Sequence, residues 1–478
     1  MKTVKKKSGV ATESRNIICE KHYVTNADVK KIREELLKWY DKNQRVLPWR
    51  DIAKDEVDNN IRGYAVMVSE VMLQQTQVAT VISYFNKWIK KWPTISSLAA
   101  AELEEVNQQW AGLGYYSRAR RLHEGAKIIV EKLNGNIPQT AEELEKLIPG
   151  IGAYSAAAIA SIAFQKASGV VDGNVIRVLS RMRVIGVHVS KPGVKDHLWD
   201  LANKLVSEER PGDFNQALME LGAEICTPQN PHCTDCSVKD FCQAYLKVKK
   251  STKTGKLDSY LKKNSWTRGK VKPSTEDSVP DIENAADCYF CLPDSVWEEN
   301  PQVVAYPPKA EKKKSRIEKL GVVVVEKGNK LLMMRRPEKG LLAGLLEFPS
   351  VIFPEDASVK EQSSAVDQVL IEISIPIALH SSRKYIGKVV HIFSHIRTTY
   401  IIEHLAVDKS VKVSHASKEL MWLSEEEFQS AAVSTAMKKV LAFVRKSESS
   451  PKKQVSSKKR KLVAEDSKQR SIKSFFNK

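Results

Sequence analysis

The spacing of hydrophobic positions changes once along the chain, and the change predicts two folded domains of different class. Over residues 25–245 apolar residues recur at three- and four-residue spacing, as at Ala156, Ile159 and Ala160, which is the period of amphipathic helices. Loops with glycine or proline, such as residues 112–114 and 148–150, separate these stretches. The pattern therefore predicts an all-α domain over 25–245.

From residue 320 the pattern of apolar positions favours β-structure. Two apolar runs, 321–325 and 330–334, flank Lys327, Gly328 and Asn329, which is typical of a β-hairpin. Residues 389–393 and 399–402 are further strand candidates, and residues 425–444 have the pattern of a helix. We therefore expect a second domain of α+β type over residues 317–446.

Charge is concentrated outside these two domains. The formal net charge is +19, yet residues 17–245 hold equal numbers of acidic and basic side chains. We expect residues 1–24 to be a disordered basic N-terminus, 246–316 a linker and 447–478 a disordered basic tail. A basic chain favours polyanionic partners, but a DNA-binding face on the helical domain must come from the placement of a few cations.

Composition excludes several classes of protein. No apolar run approaches the roughly 20 residues of a membrane span, and no apolar stretch follows the N-terminal lysines as in a secretory signal. The seven cysteines are too few and too clustered for a disulfide scaffold, which favours a reducing compartment.

Four of the cysteines have the spacing of a metal site. Cys226, Cys233, Cys236 and Cys242 form a C-x6-C-x2-C-x5-C pattern, and four thiolates within so short a stretch can close around one soft metal centre. The spacing alone suits an iron–sulfur cluster and tetrahedral zinc about equally.

The order of motifs upstream of these cysteines carries a family resemblance. A Pro-Gly-Ile-Gly hairpin at 149–152, Asp172 eighteen residues after Tyr154, and the cysteine loop together resemble the helix-hairpin-helix DNA glycosylases, whose clusters are [4Fe–4S]. Stretches at 47–50, 69–78, 112–118, 171–175, 341–349 and 393–395 sharpen this to the MutY-type adenine DNA glycosylases. The resemblance implies an all-α helix-hairpin-helix domain with a [4Fe–4S] loop, followed by an α+β Nudix-like domain.

The resemblance also implies a reaction, the removal of adenine mispaired with 8-oxoguanine in double-stranded DNA by hydrolysis of its N-glycosidic bond. Glu70 matches the general acid that protonates adenine N7, and Asp172 matches the carboxylate that stabilises the sugar cation. Tyr154 and Asn174 match residues that order the pocket. Without the family context, Glu70 would be a solvated helix residue and Asp172 a turn or cap residue.

Tyr154 predicts a monofunctional enzyme. Bifunctional relatives have a lysine nucleophile at the corresponding hairpin position, where it forms a Schiff base and nicks the strand. A tyrosine cannot form that Schiff base, so we expect base release without strand cleavage.

Further residues match the DNA contacts of the family. The matches comprise loop and wedge residues (Leu73, Gln75, Tyr115), phosphate-binding glycines (Gly150, Gly152), the adenine pocket (Trp49, Arg50) and the reader of 8-oxoguanine (Phe393, Ser394, His395).

Residues 354–374 lack the metal-binding box of Nudix hydrolases, so the second domain is expected to recognise a base rather than cleave a pyrophosphate.

The linker holds a second, incomplete cysteine motif. Cys288 and Cys291 form a C-x2-C pair, and animal relatives add a third cysteine a few residues upstream to bind zinc. This chain lacks that cysteine, so a zinc site would need a ligand from elsewhere, such as a histidine. Two free thiols are the alternative.

Linker and tail also match docking segments for partners. Residues 303–307 resemble a docking segment for a ring-shaped checkpoint clamp. Gln469, Ile472, Phe475 and Phe476 fit the sliding-clamp (PCNA) ligand pattern, in which one helical turn presents the apolar residues on one face. The basic run 458–461 is typical of a nuclear import signal, whereas the N-terminus is too poor in arginine to support a mitochondrial location.

Two other functions are compatible with parts of the pattern. A bifunctional glycosylase for pyrimidine lesions is disfavoured by Tyr154 and by the C-terminal domain. A catalytically silent DNA-binding or scaffolding protein is disfavoured by the joint presence of Glu70 and Asp172.

Overall fold

The computed structural model describes residues 18–253, 288–299, 302–309, 316–337, 340, 342–393, 396–416 and 419–449. Contacts divide the chain into two units. The first contains residues up to Arg316 together with Met333–Glu347 and Ser417–Ser434, and the second contains Ile317–Leu332, Phe348–Ala416 and the chain from Thr435 onward.

The first unit is mainly helical. Its helices are α1 (Asn26–Asn43), α2 (Pro48–Asp55), α3 (Asn59–Leu73), α4 (Val78–Lys91), α5 (Ile95–Ala99), α6 (Leu103–Trp110), α7 (Ser117–Lys132), α8 (Ala141–Leu147), α9 (Ala153–Phe164), α10 (Gly173–Met182), α11 (Val194–Leu205), α12 (Pro211–Glu220), α13 (Gln243–Lys253) and α14 (Asp294–Glu299). A π-helical turn, Leu221–Ile225, continues α12, and the short α16 (Glu425–Ser430) also falls in this unit.

Helices α3 and α9 pack against each other at the centre of this unit. Both are buried over most of their length, as expected for helices with little solvent face, since residues 63–72 and 155–164 are buried. Local signals set the helix ends. Asp58 caps α3 by accepting from the amides of Asn60 and Ile61, and Pro48 begins α2 at a position that needs no amide donor.

The C-terminal part of the chain forms a seven-stranded sheet, as the α+β prediction requires. Its strands are β1 (Arg316–Lys327), β2 (Lys330–Arg335), β3 (Leu346–Glu347), β4 (Ser350–Phe353), β5 (Lys384–Ile392), β6 (Ile396–Ala406) and β7 (Leu420–Ser424). The order is β3-β2-β1-β6-β5, with β4 on β1 and β7 on β2. The predicted hairpin is present, with Lys327 paired with Lys330. Helices α15 (Val359–Glu372) and α17 (Thr435–Ser449) belong to the second unit.

Two features differ from the pattern-based expectation. The helix expected over 425–444 is two helices. The first, α16, begins at the Ser424–Glu427 capping box and ends at Ser430, and the extended Ala431 follows it. The N-terminus was expected to be disordered to residue 24, yet His22 and Val24 are buried. Parts of the predicted linker are also packed, with Phe290 and Tyr306 each 2% exposed.

Within the described residues, no helix is both long enough and apolar enough to cross a membrane.

Candidate active site

Glu70 lies in the last turns of α3 and its side chain faces a pocket rather than solvent. It is 5% exposed, and the Tyr154 hydroxyl donates to its Oε2 over 2.9 Å. Burial raises the pKa of Glu70 to about 7, against the opposing effect of the hydrogen bond from Tyr154. The carboxyl group is therefore poised to give and take a proton near neutral pH, as a general acid must.

Asp172 lines the same pocket and caps α10. Its Oδ1 accepts from the Val175 amide at 2.7 Å, and its Oδ2 accepts from Asn174 Nδ2 at 2.8 Å. Burial raises the pKa of Asp172, while these donors at the helix N-terminus oppose the rise. The residue is thus both a helix cap and a pocket carboxylate, so the two interpretations of its sequence context do not exclude each other.

Asn174 links the pocket to the cysteine loop through Arg177. The Arg177 guanidinium donates to Asn174 Oδ1 at 2.8 Å and to the Cys226 carbonyl oxygen at 2.7 Å. It also donates to the Gly222 carbonyl oxygen at 2.6 Å. A Cβ at Gly222 would lie 2.7 Å from Asn174 Cβ, so the π-helical turn can pass this close only with glycine.

Trp49 and Arg50 also line the pocket, at the start of α2. Trp49 is 6% exposed and packs edge-to-face against Phe85. Arg50 donates to Gln216 Oε1 at 3.0 Å and to Glu220 Oε2 at 2.8 Å.

Glu220 is a pocket residue that the sequence did not single out. It is 1% exposed and accepts from Arg45 Nε at 2.6 Å as well as from Arg50. Burial alone would raise the pKa of Glu220, but the hydrogen bonds from Arg45 and Arg50 outweigh burial and lower it. Glu70 and Glu220 therefore lie in one pocket with opposite protonation tendencies.

Two further residues that line the pocket, Gln216 and Met219, were also not predicted from the sequence. Both residues lie in α12, more than 140 residues after Glu70. Nothing in their local sequence pattern distinguishes them from core positions. The Met219 sulfur lies 3.3 Å from the Tyr154 hydroxyl. Only their proximity in the fold identifies them.

The predicted loop and wedge residues occupy two neighbouring loops. Leu73 ends α3 and lines the pocket. Gln75 follows it as an exposed residue with φ 57°, and Tyr115, just before α7, is 43% exposed with φ 47°. Both backbones are in the left-handed region that residues other than glycine rarely adopt.

The glycine hairpin precedes α9. Gly150 has φ +83°, which only glycine adopts without strain, and Gly152 is the N-cap of α9 with open space where a Cβ would lie. A helix N-terminus with exposed glycine backbone presents free amide groups suited to a phosphate.

The four cysteines of the C-x6-C-x2-C-x5-C pattern line one cavity. Burial raises the pKa of Cys236 to about 12 and that of Cys242 to about 11. Arg181, 2% exposed, donates to Cys226 Sγ at 3.2 Å. A cation beside a thiol ligand and an apolar surround suit an iron–sulfur cluster, and the cysteine set fits one.

The linker cysteines find partners near the N-terminus. One donor atom from each of Cys19, His22, Cys288 and Cys291 lies within 4.8 Å of the other three, so these residues can hold a metal ion. His22 Nδ1 donates to the Arg183 carbonyl oxygen at 2.7 Å, which leaves Nε2 as a lone pair 3.4 Å from Cys291 Sγ. The sequence did not reveal Cys19 and His22, because they lie about 270 residues from Cys288 and Cys291.

The remaining predicted residues are mostly outside the described chain. Phe393 is described, and its ring lies 4.5 Å from the His391 ring. Ser394 and His395 lie outside the described residues, as do the basic run 458–461 and the clamp-ligand residues Gln469, Ile472, Phe475 and Phe476.

Comparisons with known proteins identify both parts of the chain. Residues 68–204 match the HhH-GPD superfamily of base excision DNA repair proteins, and residues 321–443 match the NUDIX domain. The adenine DNA glycosylase of Rattus norvegicus is 49% identical over 424 residues, covering 87% of this chain and 78% of that protein. The Homo sapiens adenine DNA glycosylase is 49% identical over 419 residues, covering 87% and 74%.

One similar solved structure is the C-terminal domain of mouse MUTYH in complex with human PCNA. It is 37% identical, covers 29% of this chain and 94% of that chain, and has a TM-score of 0.24.

The burial of Glu70 makes a prediction that needs no activity assay. In protein labelled with ¹³C at the glutamate carboxyl, one resonance should titrate with a midpoint near pH 7. Tyr154→Phe removes a hydrogen bond that favours the ionised form, so the midpoint should move up by about one pH unit or less. Tyr84→Phe, which alters a tyrosine bonded to the Ala111 carbonyl instead, should leave it unchanged. A wild-type midpoint near 4.5 would contradict this account.

Proposed function

The chain belongs to the adenine DNA glycosylases of base excision repair, and we propose that its substrate is adenine paired with 8-oxoguanine. The observation that carries the proposed mechanism is the buried Glu70 carboxyl with a pKa of about 7, bonded to Tyr154 in a pocket shared with Asp172. G:A mispairs are expected to be a second substrate.

Bond cleavage begins with protonation of the leaving base. Adenine must be extruded from the stack to reach a pocket of this kind. Glu70 donates a proton to N7, which makes adenine a better leaving group. The Tyr154 hydroxyl holds one oxygen of the Glu70 carboxyl, so the acidic proton lies on the other oxygen, which is free to face the base.

The sugar cation that remains needs a negative charge nearby. Asp172 supplies it, and the Val175 amide and Asn174 hold the carboxylate in a fixed orientation. Glu70 donates a proton and Asp172 supplies a negative charge because the surroundings of the two carboxyl groups differ. Glu70 has one hydroxyl donor and deep burial, whereas Asp172 has donors at a helix N-terminus.

Recognition of the opposite base is assigned to the Nudix-like domain. Residues 354–374, which lack a Nudix metal-binding box, form α15 and its flanks, with the capping box of Ser358 and Glu361 at the start of the helix. Phe393, Ser394 and His395, which lie between β5 and β6 in the sequence, are the proposed contacts with 8-oxoguanine.

Further partners are proposed for the tail and for residues 303–307, which lie in the first unit with Tyr306 2% exposed. A sliding clamp (PCNA) is proposed to bind the tail residues Gln469, Ile472, Phe475 and Phe476. A checkpoint clamp is proposed to bind residues 303–307. The basic run 458–461 is proposed to direct the protein to the nucleus.

The substrate assignment is tested with duplexes that contain 8-oxoguanine:A, G:A, 8-oxoguanine:C or an oxidised thymine. Adenine should be released from the first two, with strand scission only after alkali. Asp172→Asn is the matched variant, because asparagine also caps helices well but lacks the charge. It should bind the same duplex while turnover falls by at least about 100-fold. Wild-type protein that binds DNA yet releases no base would refute the proposal.

Tyr154 is proposed to make the enzyme monofunctional, and a substitution tests this. Tyr154→Lys places an amine in the pocket, where it can attack the sugar and form a Schiff base. We expect strand nicking without alkali and a covalent complex trapped by borohydride. Tyr154→Phe, which also lacks the hydroxyl but carries no amine, should show neither, and the absence of any trapped complex with Tyr154→Lys would count against the assignment.

Two metal centres are proposed. Cys226, Cys233, Cys236 and Cys242 hold a [4Fe–4S] cluster that fixes the loop after α12, and Cys19, His22, Cys288 and Cys291 hold zinc in a Cys₃His set. Both roles are structural. The zinc ligands join the segment before α1 to the segment before α14.

Metal analysis separates the two centres. Protein purified without air should contain both iron and zinc and show broad visible absorption. Cys288→Ser should lose most of the zinc and keep the absorption, and Cys236→Ser should do the reverse. If both variants lose the same metal, or neither loses zinc, the assignment of two sites is wrong.

A further inference from the structure

We propose that Arg118 is a positioning residue that holds two DNA-entering loops at once, the Gln75 loop (residues 74–77) and the Tyr115 loop (residues 111–116). The inference rests on the proposed function, because it concerns the extrusion of adenine from a duplex. It adds a residue that does not itself line the pocket.

The guanidinium first fixes the Gln75 loop. Arg118 Nη1 donates to the carbonyl oxygens of Val71, Met72 and Gln74 at 2.8, 2.9 and 2.7 Å. Arg118 Nη2 donates to Thr76 Oγ1 at 3.2 Å. The residues on both sides of Gln75 are therefore bonded to one side chain.

The same group fixes the Tyr115 loop. Nη2 of Arg118 donates to the carbonyl oxygens of Gly114 at 3.1 Å and Leu113 at 3.4 Å. The guanidinium carbon lies 5.6 Å from the centre of the Tyr115 ring and 5.2 Å from that of Trp110. Trp110 Nε1 also donates to the Gly114 carbonyl oxygen, at 2.9 Å.

Both loops need such a restraint. Gln75 and Tyr115 are exposed, yet each has a left-handed backbone, with φ of 57° and 47°. Residues other than glycine keep this conformation only where their surroundings impose it. Arg118 supplies a restraint, because it bonds Gln74 and Thr76 on either side of Gln75, and Gly114 just before Tyr115.

The burial of Arg118 supports a role that requires arginine. Only 7% of it is exposed, and the described residues give it no carboxylate partner. Its positive charge is instead stabilised by carbonyl oxygens at the C-terminal end of α3, where the helix dipole is negative. A lysine offers donors from a single atom and cannot span both loops as a planar fork does.

The test uses Arg118→Lys, with Arg62→Lys as the matched control. Arg62 lies near the opposite end of α3 and also donates to backbone carbonyl oxygens, those of Ala163 at 2.6 Å and Glu56 at 2.8 Å. Single-turnover adenine release is measured with an 8-oxoguanine:A duplex, and extrusion with 2-aminopurine fluorescence at the target position. Active-site titration and thermal melting correct for the folded fraction.

We expect Arg118→Lys to slow extrusion and release together by about 10- to 100-fold per active molecule, whereas Arg62→Lys matches wild type. The pH profile of the residual activity should keep the wild-type alkaline limb, because Glu70 is untouched. Equal extrusion by the two lysine variants would overturn the inference, as would a shifted alkaline limb, which would mean that Arg118 acts through Glu70.

A second variant decides the outcome if Arg118→Lys does not fold. Thr76→Val removes one acceptor in the Gln75 loop and should slow extrusion in the same direction by a smaller factor. A wild-type extrusion rate in Thr76→Val would then overturn the inference. Wild-type protein that releases no adenine would refute the proposed function itself, which is a distinct result.

Discussion

The proposed chemistry depends on a carboxyl group that stays partly protonated at neutral pH in a pocket that also holds two arginines. A free cation beside Glu70 would stabilise its ionised form and remove the acid. The structure avoids this by pairing Arg45 and Arg50 with the buried Glu220. Glu70 is left with a neutral hydroxyl donor and deep burial. In the proposed mechanism Glu220 pairs with these charges, and the remaining effect of Arg50 lowers the pKa of Glu70 less than burial raises it.

Helix ends supply much of the remaining polar chemistry. Asp172 is held at the N-terminus of α10, the glycine hairpin opens the N-terminus of α9, and the C-terminus of α3 receives Arg118. Helix termini have unsatisfied backbone groups, so they bind charged partners without further side chains. A domain built from many short helices around a central pair therefore brings several such ends to one pocket and the surface beside it.

The sequence predicted the parts of the fold and site that local pattern encodes. The helical period over 25–245, the hairpin at Lys327 and the family motifs around Glu70, Tyr154 and Asp172 lie within short stretches, and the structure brings these three residues into one pocket. Gln216, Glu220, Cys19 and His22 have ordinary local contexts and act through partners far along the chain. The break within 425–444 was missed because it follows Ser430 without a glycine or proline to signal it.

The cluster of Cys19, His22, Cys288 and Cys291 has a topological consequence. A metal ion there would tie residue 19 to residue 291 and so turn most of the first unit into a closed ring. The entropy that such a ring removes from the unfolded chain grows with the logarithm of its length, and this ring is long. A single proteolytic cut in any surface loop inside the ring would then leave the two pieces joined, and the first unit could survive nicking until its metal is lost.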